Sequence, residues 1–124
     1  MTAEEYVKMR KNQMSRKSKY SNEPVYINGI RFDSKHEGNR YQELLLMQRA
    51  GKIKDLRLQV KFELIPAQRT AKGKYVPPVT YTADFVYERN GQFVAEDAKG
   101  FKTDVYKLKK KLMLYIKGIE IEES

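Results

Sequence analysis

Apolar positions along the chain recur with two periods, and each period names an element. In "DLRLQVKFEL", Leu56, Leu58, Val60, Phe62 and Leu64 fall at every second position, the spacing of a strand with one buried side. "YTADFVYERNGQFVAED" holds two further alternating runs joined by Asn90-Gly91, and both turn residues suit the positive φ of a two-residue hairpin loop. "VYINGIRF" repeats that design on a smaller scale around Asn28-Gly29. Elsewhere the period is helical. In "SKHEGNRYQELLLMQRAGKI", Tyr41, Leu44, Leu45 and Gln48 mark one face, Ser34 can cap the start and Gly51 can stop the end. "TDVYKLKKKLMLYIKG" predicts a second helix whose buried stripe is Val105, Leu108, Leu112, Tyr115 and Ile116, with Thr103 or Asp104 as cap and Gly118 as stop. A closing "IEIE" alternates as a short strand, and residues 66–79, with three prolines and no pattern, predict a long connection. The order is helix, three strands, helix, strand.

At 124 residues the chain predicts one core. No apolar run approaches the length of a membrane span and the first residues lack the apolar centre of a secretory signal, so a cytoplasmic protein with no membrane partner is expected. There is no cysteine and one histidine, His36, which excludes thiolate and histidine-rich metal sites and leaves oxygen ligands for any metal. The formal net charge of +9 suits a polyanionic partner such as nucleic acid. Residues 1–22 form a basic N-terminal arm carrying Arg10, Lys11, Arg16 and Lys17, in which Thr2 and Glu5 can box a short helix. Residues 23–124 form the α/β domain.

The hairpin turn also sets a register. With Asn90-Gly91 as the loop, Arg89 faces Gln92, and continuing the pairing puts Asp97 opposite Asp84 and Lys99 opposite Thr82. Alternation then collects Asp84, Asp97 and Lys99 on one face. Two carboxylates ~4 Å apart repel by about 4 kcal/mol at an effective dielectric near 20. Lys99, a proton shared by the pair, or a divalent cation can neutralise them.

"AD" at 83–84 followed by "EDAKG" at 96–100 resembles the signature of the PD-(D/E)XK nuclease superfamily, and the element order over residues 34–122 is similar to its core. Ala83 stands where the signature has proline, and Asp97 where glutamate is frequent. The resemblance implies a restriction-endonuclease-like α/β core of order α-β-β-β-α-β, a mixed central sheet flanked by helices. It implies that Asp84, Asp97 and the main-chain oxygen of Ala98 hold Mg²⁺, with Mn²⁺ as substitute, and that Lys99 orients the attacking water or stabilises the charge of the pentavalent phosphate. "FDSKHE" resembles the helical element that supplies a further glutamate in small phage and transposon-type endonucleases, which implies a catalytic and metal-binding role for Glu37, with Glu43 as the lesser candidate. Ser34 and Glu37 also read as a capping box, which needs no chemistry.

Glu96, by alternation, faces away from Asp97 as an edge or packing residue. Gln59 is a candidate auxiliary contact to phosphate or metal-bound water. Lys102, Lys107, Lys109, Lys110 and Lys111, with the four cations of the arm, are the candidate DNA-binding residues. The expected activity is Mg²⁺-dependent hydrolysis of DNA phosphodiester bonds. The likeness to small phage endonucleases implies branched or duplex DNA as partner and a homodimer, as in junction resolvases. The other reading is a nucleic-acid-binding module with a nuclease-like fold and no activity.

Overall fold

The computed structural model describes residues 23–98 and 101–124. The arm cations Arg10, Lys11, Arg16 and Lys17, the helix expected around Thr2 and Glu5, and Lys99 lie outside the described residues. The chain divides into two compact units, Met1–Gln42 and Glu43–Ser124, with the boundary inside the first helix.

In the first unit, strands β1 (Val25–Ile27) and β2 (Ile30–Phe32) pair antiparallel from Val25↔Phe32 to Ile27↔Ile30. Asn28 and Gly29 supply the turn with φ of 53° and 78°, the left-handed pair that this hairpin needs. Helix α1 (Lys35–Arg49) follows, and the Glu37 amide donates to Ser34 Oγ at 3.2 Å. Gly38 inside this helix has a packing reason: a Cβ there would lie 2.7 Å from Val25 Cγ2, so only a hydrogen lets the hairpin approach.

In the second unit, α1 ends at Gly51, where Lys52 N bonds Met47 O and Gly51 N bonds Gln48 O, the paired bonds of a Schellman stop. Gln48, expected on the buried face, is exposed, and its Oε1 instead accepts the Leu56 amide at 2.9 Å. Strand β3 (Lys54–Ile65) pairs antiparallel with β6 (Val79–Arg89), which pairs antiparallel with β7 (Gln92–Asp97); β7 pairs parallel with β8 (Glu122–Glu123). The protein is thus mixed α/β with a mixed four-stranded sheet in the order β3-β6-β7-β8. Between β3 and β6, the connection is not patternless as expected. It folds into a small hairpin, β4 (Gln68–Arg69) with β5 (Tyr75–Val76), pinned by Arg69 stacked 5.5 Å over the Tyr75 ring and donating to Gly73 O.

Helix α2 (Asp104–Leu112) is capped by Thr103, whose side chain accepts from Tyr106 N, and runs into a π-helical segment, Met113–Lys117, that closes at Gly118 with φ 68°. Its buried side corrects the expected stripe. Tyr106 and Met113 enter the core, whereas Val105 (61% exposed), Leu108 (58%) and Tyr115 (89%) face solvent with Ile116. The core is Leu64, Tyr81, Ala83, Val86, Ala95, Tyr106, Met113 and Ile121. Ala83 and Val86 cannot share a face under strict alternation, so β6 changes face between them, at Asp84-Phe85. Opposite that point in the register, between Leu58↔Phe85 and Val60↔Ala83, β3 carries Gln59 at φ 51°. Both strands are irregular at the same place.

Candidate functional site

The β6–β7 ladder runs from Arg89↔Gln92 to Phe85↔Glu96, the register set by Asn90 and Gly91 at φ 53° and 76°. The ladder ends one pair short of Asp84 and Asp97, which a continued register would set opposite each other. Here side chains take over from the ladder. Asp84 Oδ2 accepts the Ala98 amide at 2.9 Å, and Oδ1 accepts Gln59 Nε2 at 3.2 Å. One carboxylate therefore ties β6 to both of its neighbours where the strands depart from regular pleat. The left-handed backbone of Gln59, unfavourable for a residue with a Cβ, is what that contact accompanies.

Asp97 is fully buried, at 0% exposure. An ionised carboxylate in such a place needs donors, and Tyr81 provides one, its hydroxyl donating to Asp97 Oδ2 at 2.5 Å. Burial first, then the hydrogen bond to Asp97 and the charges of Asp97 and Asp84, push the Tyr81 phenol far above its ordinary range. The same two aspartates act on Tyr106: burial and its bond to Glu123 raise that phenol most, and Asp97 and Asp84 add to the shift. The Tyr81 and Tyr106 rings lie 6.4 Å apart.

The next layer is built by β8 and α2. Glu123 pairs with Asp97 in the parallel register, and the Ser124 amide bonds Asp97 O at 3.1 Å. Glu123 gathers Tyr106 Oη at 2.8 Å, Lys110 Nζ at 3.1 Å and Lys102 Nζ at 3.2 Å. Burial tends to raise the Glu123 carboxyl, but the bonds from Tyr106, Lys110 and Lys102 hold it below the ordinary carboxylate range. Glu96 is buried, not at an edge: β7 is flanked on both sides, and Glu96 accepts from Tyr87 Oη at 2.7 Å and Ser124 Oγ at 2.9 Å. It is a packing residue, on the opposite side of β7 from Asp97.

Of the sequence candidates, Gln59, Asp84, Asp97 and Ala98 come together. Glu37 lies in the first unit, buried and bonded to Ser34 through its amide, and Glu43 is exposed on α1. Lys102 and Lys110 converge on Glu123; Lys107 and Lys111 are exposed, and Lys109 is half-buried. Sequence reading missed Tyr81, Tyr106 and Glu123. A buried tyrosine seeks a partner for its hydroxyl, and that was the available signal for the first.

As a donor set, the Asp84 and Asp97 carboxylates and the Ala98 carbonyl are hard oxygens of the kind that Mg²⁺ takes together with water and phosphate oxygens. The residues fit such an ion. Among the described residues no group of three or more His, Cys, Asp and Glu side chains forms a metal cage, so an ion here would rely on main-chain and external oxygens. Among the described residues, too, no helix is long and apolar enough to cross a membrane. No curated protein and no solved structure matches the chain. A family model described as "Protein of unknown function (DUF1064)" matches residues 17–121, and the chain belongs to that family.

Proposed function

We propose that the protein is a Mg²⁺-dependent endonuclease of the PD-(D/E)XK type that cleaves DNA phosphodiester bonds in the cytoplasm and prefers branched recombination or replication intermediates. The observation that carries this reading is that Asp84, at a break in the sheet, holds Gln59 and the Ala98 amide, while Asp97, the residue before Ala98, is fully buried on the Tyr81 hydroxyl. A fully buried acid such as Asp97 is costly, which makes it a candidate for a functional role. Asp84, Asp97 and the Ala98 carbonyl would hold Mg²⁺, and the chemistry that the ion supplies when bound is polarisation of the phosphate and a lowered pKa for water. Asp84 is kept in place by Gln59 and the Ala98 amide, and Asp97 by Tyr81. Lys99, two residues beyond Asp97, would stabilise the charge that develops on the phosphate. The part of Glu37 in this reading, like the homodimer, rests on the resemblance alone.

A binding module without activity is the second reading, favoured by one fact: both Asp84 oxygens already accept protein hydrogen bonds. Plasmid and four-way-junction DNA incubated with Mg²⁺, Mn²⁺ or EDTA separate the two. Cleavage is expected with either metal and none in EDTA. Asp97→Asn should abolish it by at least about a hundredfold while keeping the Tyr81 bond through its amide oxygen. In EDTA the same variant should melt no lower than the parent, because the isosteric amide keeps the buried Tyr81 contact without the cost of burying an acid. Binding without cleavage under all metal conditions would establish the second reading, and a clear loss of stability in the variant would make Asp97 a structural residue.

A further inference from the structure

The donors around Glu123 make an anion site that the protein fills itself. A phenol and two ammonium groups converge on one carboxylate, with Tyr106 on Oε2 and Lys102 and Lys110 on Oε1. The same three side chains line a pocket of about 400 Å³ whose other walls include Lys107, Lys111, Leu114 and Ile121. Four lysines against two carboxylates, Glu123 and Glu120, leave the pocket cationic even with Glu123 inside. Its remaining surface is apolar: the Tyr106 ring, Leu114, Ile121 and the lysine stems. Its volume falls in the range of small-ligand pockets. It is also next to the candidate site, since Glu123 neighbours Asp97 in the parallel register.

We infer that this pocket receives one unpaired nucleotide of the nucleic acid, its phosphate on Lys102, Lys107, Lys110 and Lys111 and its base or sugar against Tyr106, Leu114 and Ile121, with Glu123 as the resident competitor that the phosphate displaces. This rests on the nuclease reading for its biological sense, and it names the substrate class: DNA with a single-stranded element beside the scissile bond. Bases of an intact duplex are stacked inward and cannot reach an apolar wall, whereas an unpaired nucleotide presents phosphate and base together. Lysine binds phosphate as a compact point charge, without the fixed fork of arginine. Glu123 keeps those charges compensated until nucleic acid arrives.

The test uses the full chain in EDTA, so that it stands apart from metal and cleavage. Titrations with dTMP, inorganic phosphate and thymidine are followed by calorimetry or amide chemical shifts. Expected is tightest binding for dTMP, with shifts at Tyr106, Leu114 and Ile121. Glu123→Gln should tighten dTMP binding about tenfold by freeing two ammonium groups, and Lys110→Ala should weaken it about tenfold, the scale of one charge-assisted hydrogen bond. Melting curves confirm that each variant is folded, and Lys107→Ala, on an exposed residue, repeats the weakening where Lys110→Ala perturbs the fold. Equal affinities for dTMP and inorganic phosphate would reduce the pocket to a general anion patch and overturn the inference. Weaker or unchanged binding in Glu123→Gln would overturn the competitor role. Metal-dependent cleavage can survive either failure, and dTMP binding can succeed in a protein that never cleaves, so the two readings fail separately.

Discussion

At the scale of single residues, the carboxylate pair is legible as a hydrogen-bonding problem solved by tyrosine. Asp97 has 0% exposure and takes the Tyr81 hydroxyl, and the phenol's proton feels that carboxyl group. The Tyr81 phenol, ordinarily near 10, is raised chiefly by burial and then by Asp97. A folded-state pKa above the unfolded value means that the folded protein holds a proton that the unfolded chain releases. Stability from this source is therefore complete below about pH 10 and falls as pH rises beyond it. Tyr81→Phe removes that proton: urea unfolding between pH 8 and 11 should show a shallower alkaline decline than in the parent, by up to about 1.4 kcal/mol per pH unit. At pH 7 the variant should be less stable by about 1–3 kcal/mol, because Asp97 Oδ2 loses its buried donor. Parallel alkaline limbs would mean that Tyr81 does not carry the linkage.

At the scale of elements, the site sits where two strands give up their regularity together. Gln59 adopts a left-handed backbone at φ 51° in a strand whose alternation otherwise looks unbroken, and Asp84 opposite it reaches both neighbouring strands. Turns were readable from residue type: Asn28-Gly29 and Asn90-Gly91 both take positive φ and fix the hairpin registers, and Thr103 and Ser34 cap their helices. The face of α2 was not readable. Its aliphatic stripe is long, but the burial goes to Tyr106 and Met113, one side of the helix where an aromatic ring and a flexible thioether fill the space above the sheet. Nor does any residue type announce the kink, because glutamine carries no preference for left-handed backbone. A strained position with a polar contact to a candidate acid is the pattern of a functional compromise between stability and geometry. Gln59→Gly should relieve about 1 kcal/mol of backbone strain and leave the melting temperature level or higher, while cleavage falls because Asp84 loses a restraint. Gln59→Ala keeps the strain and loses the contact, so it should lower both. A glycine variant with full activity would separate Gln59 from the site.

At the scale of the whole molecule, +9 of formal charge has to be distributed, and α2 concentrates a share of it without spending it equally. Lys110 and Lys102 are engaged by Glu123, whereas Lys107 and Lys111 are exposed beside the pocket. Phosphate contacts release counterions in proportion to the charges they neutralise, roughly 0.7 to 0.9 in the slope of log affinity against log salt per contact. Replacing both Lys107 and Lys111 by Ala should therefore lower that slope by about 1.4 to 1.8 on a DNA with a single-stranded arm, and weaken binding alike for all sequences, because phosphate contacts position a strand without reading it. Replacing Lys110 should cost less slope than either, since its charge is compensated by Glu123 before binding. Fluorescence anisotropy in Ca²⁺, with the substrate recovered intact on a gel, gives the slopes directly. If the double variant keeps the parent slope, the phosphate-contacting surface is not on α2, and the cations Arg10, Lys11, Arg16 and Lys17 of the N-terminal sequence become the place to look.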